Sequence, residues 1–171
     1  MRTIAVLIVF AFAAVPAALA EDAPNPAQPS ALCKQQRTAV GTSAFAQLYG
    51  GAKNAYGRCV SKLATASAGD TASTSKQCRA ESADAAFATT HDGKSFEQFY
   101  GTGKHGGNAF GKCVSQKSKA LAQDRQDTTI AAARTCKNER ASMGAAAFTA
   151  KYGNRTNAFG KCVSKIAHAQ P

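Results

Sequence analysis

The stretch Asn157-Ala158-Phe159-Gly160-Lys161-Cys162-Val163-Ser164-Lys165 has two earlier counterparts: Asn54-Ala55-Tyr56-Gly57-Arg58-Cys59-Val60-Ser61-Lys62 and Asn108-Ala109-Phe110-Gly111-Lys112-Cys113-Val114-Ser115-Gln116. Each follows a Tyr-Gly pair (Tyr49-Gly50, Tyr100-Gly101, Tyr152-Gly153), a Phe four residues before that Tyr (Phe45, Phe96, Phe148) and an upstream cysteine (Cys33, Cys78, Cys136). Self-similarity at a fixed period marks a repeat architecture. Copies one and three share every spacing, with twelve residues from the first Cys to Phe, four to Tyr, five to Asn and five to the second Cys. Copy two gains six residues before Phe96 and three between Tyr100 and Asn108. The units run over 31–63, 76–120 and 129–168.

Six cysteines, two per unit, read as three disulfides if the chain is exported, because an oxidising compartment pairs thiols and keeps them paired. Fifteen pairings are open to six cysteines. Pairing within each unit (Cys33 with Cys59, Cys78 with Cys113, Cys136 with Cys162) is favoured because it makes every unit self-contained; the rival joins neighbours, such as Cys59 with Cys78. A unit of about 30 residues buries too little apolar surface to hold itself folded, so it needs a staple or a neighbour. There is no Cys-x-x-Cys and no His at a constant offset from a Cys, so neither a metal nor another cofactor is expected.

The expected fold is all-α, since no strand-like alternation occurs. Tyr56, Cys59, Val60 and Leu63 fall at i, i+3, i+4 and i+7, as do Phe159, Cys162, Val163 and Ile166, so the second cysteine lies in the apolar stripe of a helix. Copy two has Lys117 at the fourth place. Ser30 and Ser43 are candidate N-caps for the first two helices and Asn54 for the third, with Gly50 as a left-handed stop. An unbroken helix from Cys33 to Tyr49 would place Cys33 about 24 Å from the turn and Cys59 only about 7 Å beyond it, too far apart to bond. Gly41 and Gly144 offer the break, giving helix, short helix, helix. Residues 64–75, rich in Ala, Ser, Thr and Gly, read as a flexible linker. Residues 121–128 read as a second, stiffer linker, with Asp127 or Thr128 as the cap of the helix after it.

Met1 to Ala20 reads as a cleaved signal peptide: Arg2, an apolar run from Ile4 to Val15, and Ala18-Leu19-Ala20 at the cleavage site. The run is short of the roughly 20 apolar residues of a spanning helix, and no second run follows. Residues 21–30, with three prolines, read as a disordered leader. The chain has 21 Lys+Arg against 10 Asp+Glu, and loss of Arg2 leaves a net +10. Such an excess favours acidic partners or serves as a solvated surface that keeps the protein soluble.

Cations recur beside the first cysteine (Lys34, Arg79, Lys137), in the loop before the Asn (Lys53, Lys104, Arg155) and just before the second cysteine (Arg58, Lys112, Lys161). A loop cation and a first-turn cation near free helix amides describe an anion pocket, so Lys53, Arg58, Lys104, Lys112, Arg155 and Lys161 are the candidate anion-binding residues. The alternative is that they are solvated flanks of buried cysteines. The aromatic set reads as the core of each unit. Catalysis has little support. The one acidic position that nearly recurs, Glu81 and Glu139, is Gln36 in copy one, and no Ser or carboxylate has a His in register. His91 and His105 stand in the insertions of copy two, the only place where a metal-dependent site is conceivable.

The run from Phe148 to Ser164, with Cys136-x-x-Glu139-Arg140 upstream, resembles a short repeat of uncharacterised secreted bacterial proteins. That likeness implies export and repetition and carries no activity with it. The expected function is an exported or envelope-associated (periplasmic) non-catalytic repeat protein engaging anionic polymers or a cell-surface polyanion, with nucleic acid less favoured. The alternatives are a membrane-active, antimicrobial-like protein and a metal-dependent enzyme built on copy two.

Overall fold

The computed structural model describes residues 28–102, 105–153 and 157–169. The signal peptide and most of the leader lie outside these. Among the described residues helix is the one regular element, apart from an isolated bridge between Thr102 and Gly107. Unit 1 opens with α1 (Pro29–Val40) and α2 (Thr42–Leu48) and leads into α3 (Ala55–Ser82). Unit 2 contains α4 (Phe87–Thr90) and α5 (Phe96–Tyr100) and leads into α6 (Ala109–Met143). Unit 3 ends with α7 (Ala145–Tyr152) and α8 (Ala158–Ala169).

The break that the cysteine spacing demands falls at the expected glycines. Gly41 (φ 86°, ψ 154°) and Gly144 (φ 82°, ψ 157°) share one conformation, and a Cβ at either would meet nothing within 4 Å. Backbone angle, not space, therefore requires glycine there. With the chain folded back, the bridges form within units: Cys33–Cys59, Cys78–Cys113 and Cys136–Cys162, each with Cα atoms 6.0 Å apart. All six cysteines are fully buried.

Helix starts differ from expectation. Helix α1 begins one residue before Ser30, with Pro29 in its first turn, where a missing N–H costs nothing, and Gln28 as its cap. Gly41, not Ser43, caps α2. Asn54 does cap α3, but in the left-handed region (φ 61°) and without a side-chain hydrogen bond; Asn108 repeats this at φ 65°. Asn serves here because it tolerates that conformation. Asn54 Oδ1 stands against the place a Cβ on Gly57 would occupy, which explains the Asn-x-x-Gly spacing in that copy.

The two linkers are corrected outright: both are interiors of long helices. Residues 64–75 lie inside α3 and 121–128 inside α6, so the last helix of one unit is the first helix of the next. Ala favours helix, and the hydroxyls that would compete with the backbone are accommodated within it. Thr65, Thr71, Thr74 and Ser75 each donate to the carbonyl four residues back. Asp127 does not cap; it accepts from Gln123 one turn earlier at 3.2 Å. Contacts across the two helices hold them as an antiparallel pair. Asp70 pairs with Arg125 (2.6 Å), buried Thr74 bonds Ser118 (2.8 Å), and Glu81 pairs with Lys117 (2.8 Å).

At 1.5 Å per residue these helices are about 42 and 52 Å long. The hairpin they form carries unit 2 at one end and brings units 1 and 3 together at the other. The aromatic and aliphatic residues accordingly form two cores, not three. One joins units 1 and 3 through Leu32, Phe45, Leu63, Ala133, Phe148, Phe159 and Val163. The other is confined to unit 2: Phe87, Phe96, Tyr100 and Ala109 around the Cys78–Cys113 bridge. Between units 1 and 3 lies a buried polar link. Gln126 Nε2 donates to the Leu32 carbonyl (2.8 Å), Gln36 Nε2 donates to Gln126 Oε1 (3.3 Å), and the Tyr49 hydroxyl donates to Gln36 Oε1.

Candidate functional site

Four of the six candidate anion-binding cations lie among the described residues; Lys104 and Arg155 do not. Lys53 and Lys112 are exposed. Arg58 turns away from the amides at the start of α3. Its Nη1 donates to the carbonyl oxygens of Gly50 (3.1 Å) and Tyr49 (3.4 Å), just past the end of α2. Lys161 takes the same place in unit 3, with Nζ 2.9 Å from where a Cβ on Gly153 would stand. A cation at a helix C-terminus meets its negative end, so Arg58 closes off the short helix of unit 1 and Lys161 stands at the end of that of unit 3. The expected pocket of loop cation, first-turn cation and free amides is not assembled at Arg58.

The nearly recurring acidic position has a packing explanation that its sequence spacing did not disclose. Three residues past each first cysteine, Gln36, Glu81 and Glu139 accept a hydrogen bond from Tyr49, Tyr100 (3.1 Å) and Tyr152 (2.9 Å), the tyrosines of the Tyr-Gly pairs. The contact ties the cysteine-bearing helix to the short one. Burial pushes the Tyr49 phenol up to about 12, while Gln36 opposes the shift slightly. Tyr100 and Tyr152 are also raised, first by burial and then by their carboxylate partners. Lys151, 2.6 Å from Glu139, holds that carboxyl below its usual value. Phenols held protonated in this way have no use as bases at neutral pH.

Of the histidines of copy two, His91 has a packing role. His91 stacks flat on Phe87 with ring centroids 3.7 Å apart, and its Nδ1 lies 2.8 Å from the Phe87 carbonyl oxygen. It packs the core of unit 2. Among the described residues no group of three His, Cys, Asp or Glu could hold a metal ion.

A run of concave surface lies elsewhere, along the seam where α1 and α2 meet α6 and α7. Three adjoining concavities of about 310, 300 and 870 Å³ run along it. Arg134, Lys137 and Arg140 stand on α6 at i, i+3 and i+6, spanning about 9 Å, and each lines at least one concavity. Among the described residues no Asp or Glu lines any of the three. None of these cations belongs to an ion pair among the described residues; Arg140 Nη1 donates to the uncharged Gln47 Oε1 at 2.6 Å. Beyond Arg140 the floor turns apolar, with Ala145, Ala146, Phe148 and Phe159. Comparing like positions across copies picked out Lys137 but passed over Arg134 and Arg140. Their three-residue spacing on one helix was the available signal.

The fold and this seam define an all-α protein of three disulfide-braced units that share two long helices. No protein-family model, curated protein or solved structure matches the chain. No helix among the described residues is long and apolar enough to cross a membrane.

Proposed function

We propose that this is an exported, non-catalytic binding protein that takes up an anionic polymer along the seam between units 1 and 3. The observation that carries the reading is the row Arg134, Lys137, Arg140 in a groove whose lining contains no carboxylate among the described residues. Unopposed cations along a concave wall concentrate a field that a chain of repeated negative charges can meet several times over. Three buried disulfides and an apolar N-terminal segment support an oxidising, extracytoplasmic location. The site uses three cations of α6 that face unit 1, in place of the six candidate anion-binding residues.

The test is binding of an inorganic polyphosphate probe across a salt series. Affinity should fall steeply with ionic strength, and R134A/K137A/R140A should weaken binding at low salt and flatten the salt dependence by roughly three charges' worth. Lys53→Ala and Lys112→Ala should change it little. Circular dichroism must show the triple variant folded. Unchanged binding by that variant refutes the seam, and no binding by the parent protein at low salt refutes the function.

A further inference from the structure

We propose that unit 2 is a self-association surface, on which Phe99 of one copy of this chain seats against Phe110 and Gly111 in unit 2 of a second copy. The reasoning comes from what units 1 and 3 do to one another inside a single chain.

In unit 3 the Phe-Gly of the repeated motif receives the corner of unit 1. A Cβ on Gly160 would lie 3.5 Å from the Leu48 carbonyl oxygen and 3.7 Å from that of Gln47, so the end of α2 sits directly on this glycine. Beside it Phe159 is 4% exposed and Val163 3%. Unit 2 repeats this receiving face without a partner. A Cβ on Gly111 would meet nothing within 4 Å, and Phe110 is 39% exposed. The groove here, about 440 Å³, is lined by Gly111, Val114, Ser115 and Ser118, the counterparts of Gly160, Val163, Ser164 and Ala167.

Which corner could fill it is decided by the residue before each Tyr-Gly pair. In unit 1 it is Leu48, already engaged with unit 3. In unit 3 it is Lys151, a charged residue tied to Glu139. In unit 2 it is Phe99, which is 44% exposed and the most exposed large apolar side chain among the described residues. Unit 2 therefore presents both halves of a contact that the protein already makes elsewhere, and a second copy brings them together. Exposed Glu97 beside Phe99, and Lys112 and Lys119 beside the groove, give the two surfaces opposite charge. Exposed aromatic side chains of this kind are common anchors of interfaces.

Sedimentation velocity over about 5–500 μM protein, in about 0.5 M salt to screen repulsion between the basic chains, tests this. The parent chain should show a mass rising above the monomer's with concentration. F99D and F110D should each remain monomeric with unchanged circular dichroism, since both side chains are already partly in water; F99D should melt below the parent, because the Phe99 ring also packs against Phe87, His91 and Tyr100 of its own unit. An equimolar mixture of the two should regain part of the association, because the first keeps the groove and the second keeps the corner. A parent chain that stays monomeric, variants that associate like it, or a mixture that stays monomeric each overturn the proposal. Both variants should still bind polyphosphate, which separates this surface from the seam.

Discussion

Unit 2 and the pair formed by units 1 and 3 are built from one repeat, yet they bury it differently. Units 1 and 3 lie side by side and complete one another: α2 covers the face of α8, and Gln36 and Gln126 join across the seam. Unit 2, at the far end of the helical hairpin, has no neighbouring unit. Its six-residue insertion supplies part of the missing cover, because it contains α4, whose Phe87 packs edge-on with Phe96 at 5.6 Å between ring centroids, while His91 stacks on Phe87. The face around Phe110 stays bare. A small disulfide-braced unit thus needs either a second unit or extra chain of its own, as expected where a 30–40-residue element buries too little surface alone.

The largest expected effect breaks this comparison at its covalent ties. Closing loops of 26 or 35 residues contributes about 3–4 kcal/mol per bridge on a chain-entropy account. The consequence should differ by place. C78A/C113A should abolish hydrogen-exchange protection across 84–107 while α1, α2, α7 and α8 stay protected, because the core of unit 2 is small and separate. C33A/C59A should lower the stability of units 1 and 3 together, because they share a core. Equal loss of protection in both ends after C78A/C113A would show that the molecule is one cooperative block.

Much of this was readable in the residues. The triplicate motif located the units, the distance that Cys33 and Cys59 must close located the breaks at Gly41 and Gly144, and periodicity placed each cysteine on an apolar face. Residues 64–75 misled because Ala, Ser and Thr are as much the composition of a close helix–helix contact as of a linker. What decides between them is Arg125 meeting Asp70 and Ser118 meeting Thr74, pairings that exist only once the chain has doubled back. The seam was hidden for the same reason. Arg134, Lys137 and Arg140 become one lining only when unit 1 packs against α6, and comparing one unit with another cannot register a surface made between units. The cation before the second cysteine was visible as a recurrence, but the carbonyl partners of Arg58 were not.

A smaller effect sharpens the comparison at the seam itself. Gln126 is 2% exposed and bonds two groups of unit 1. Gln126→Ala should cost about 2–3 kcal/mol, since it opens a cavity and leaves the Leu32 carbonyl and the Gln36 amide without their partner. Thermal unfolding with urea titration checks the magnitude, and exchange should rise in α1 and α8 but not in α5. A loss below about 0.5 kcal/mol, the range of ordinary surface substitutions, would mean that the seam is held by its apolar contacts alone.

The smallest effect is a titration. Tyr49 belongs to the seam core, and its phenol, ordinarily near 10.0, is pushed up to about 12 by burial. In the folded protein the proton is held more tightly than in the unfolded chain, so this contribution to stability is complete below pH 10 and is lost as pH rises towards 12. Two pH units at about 1.4 kcal/mol each, discounted for partial solvent access, give about 2 kcal/mol. Alkaline titration followed by phenolate absorbance should therefore show Tyr49 ionising as the seam between units 1 and 3 opens. Tyr49→Phe should be less stable than the parent at neutral pH, because Gln36 loses its donor, and the deficit should shrink through pH 10–12 as the parent chain loses what the variant never had. A deficit constant across that range would place the opening of the seam at some group other than Tyr49.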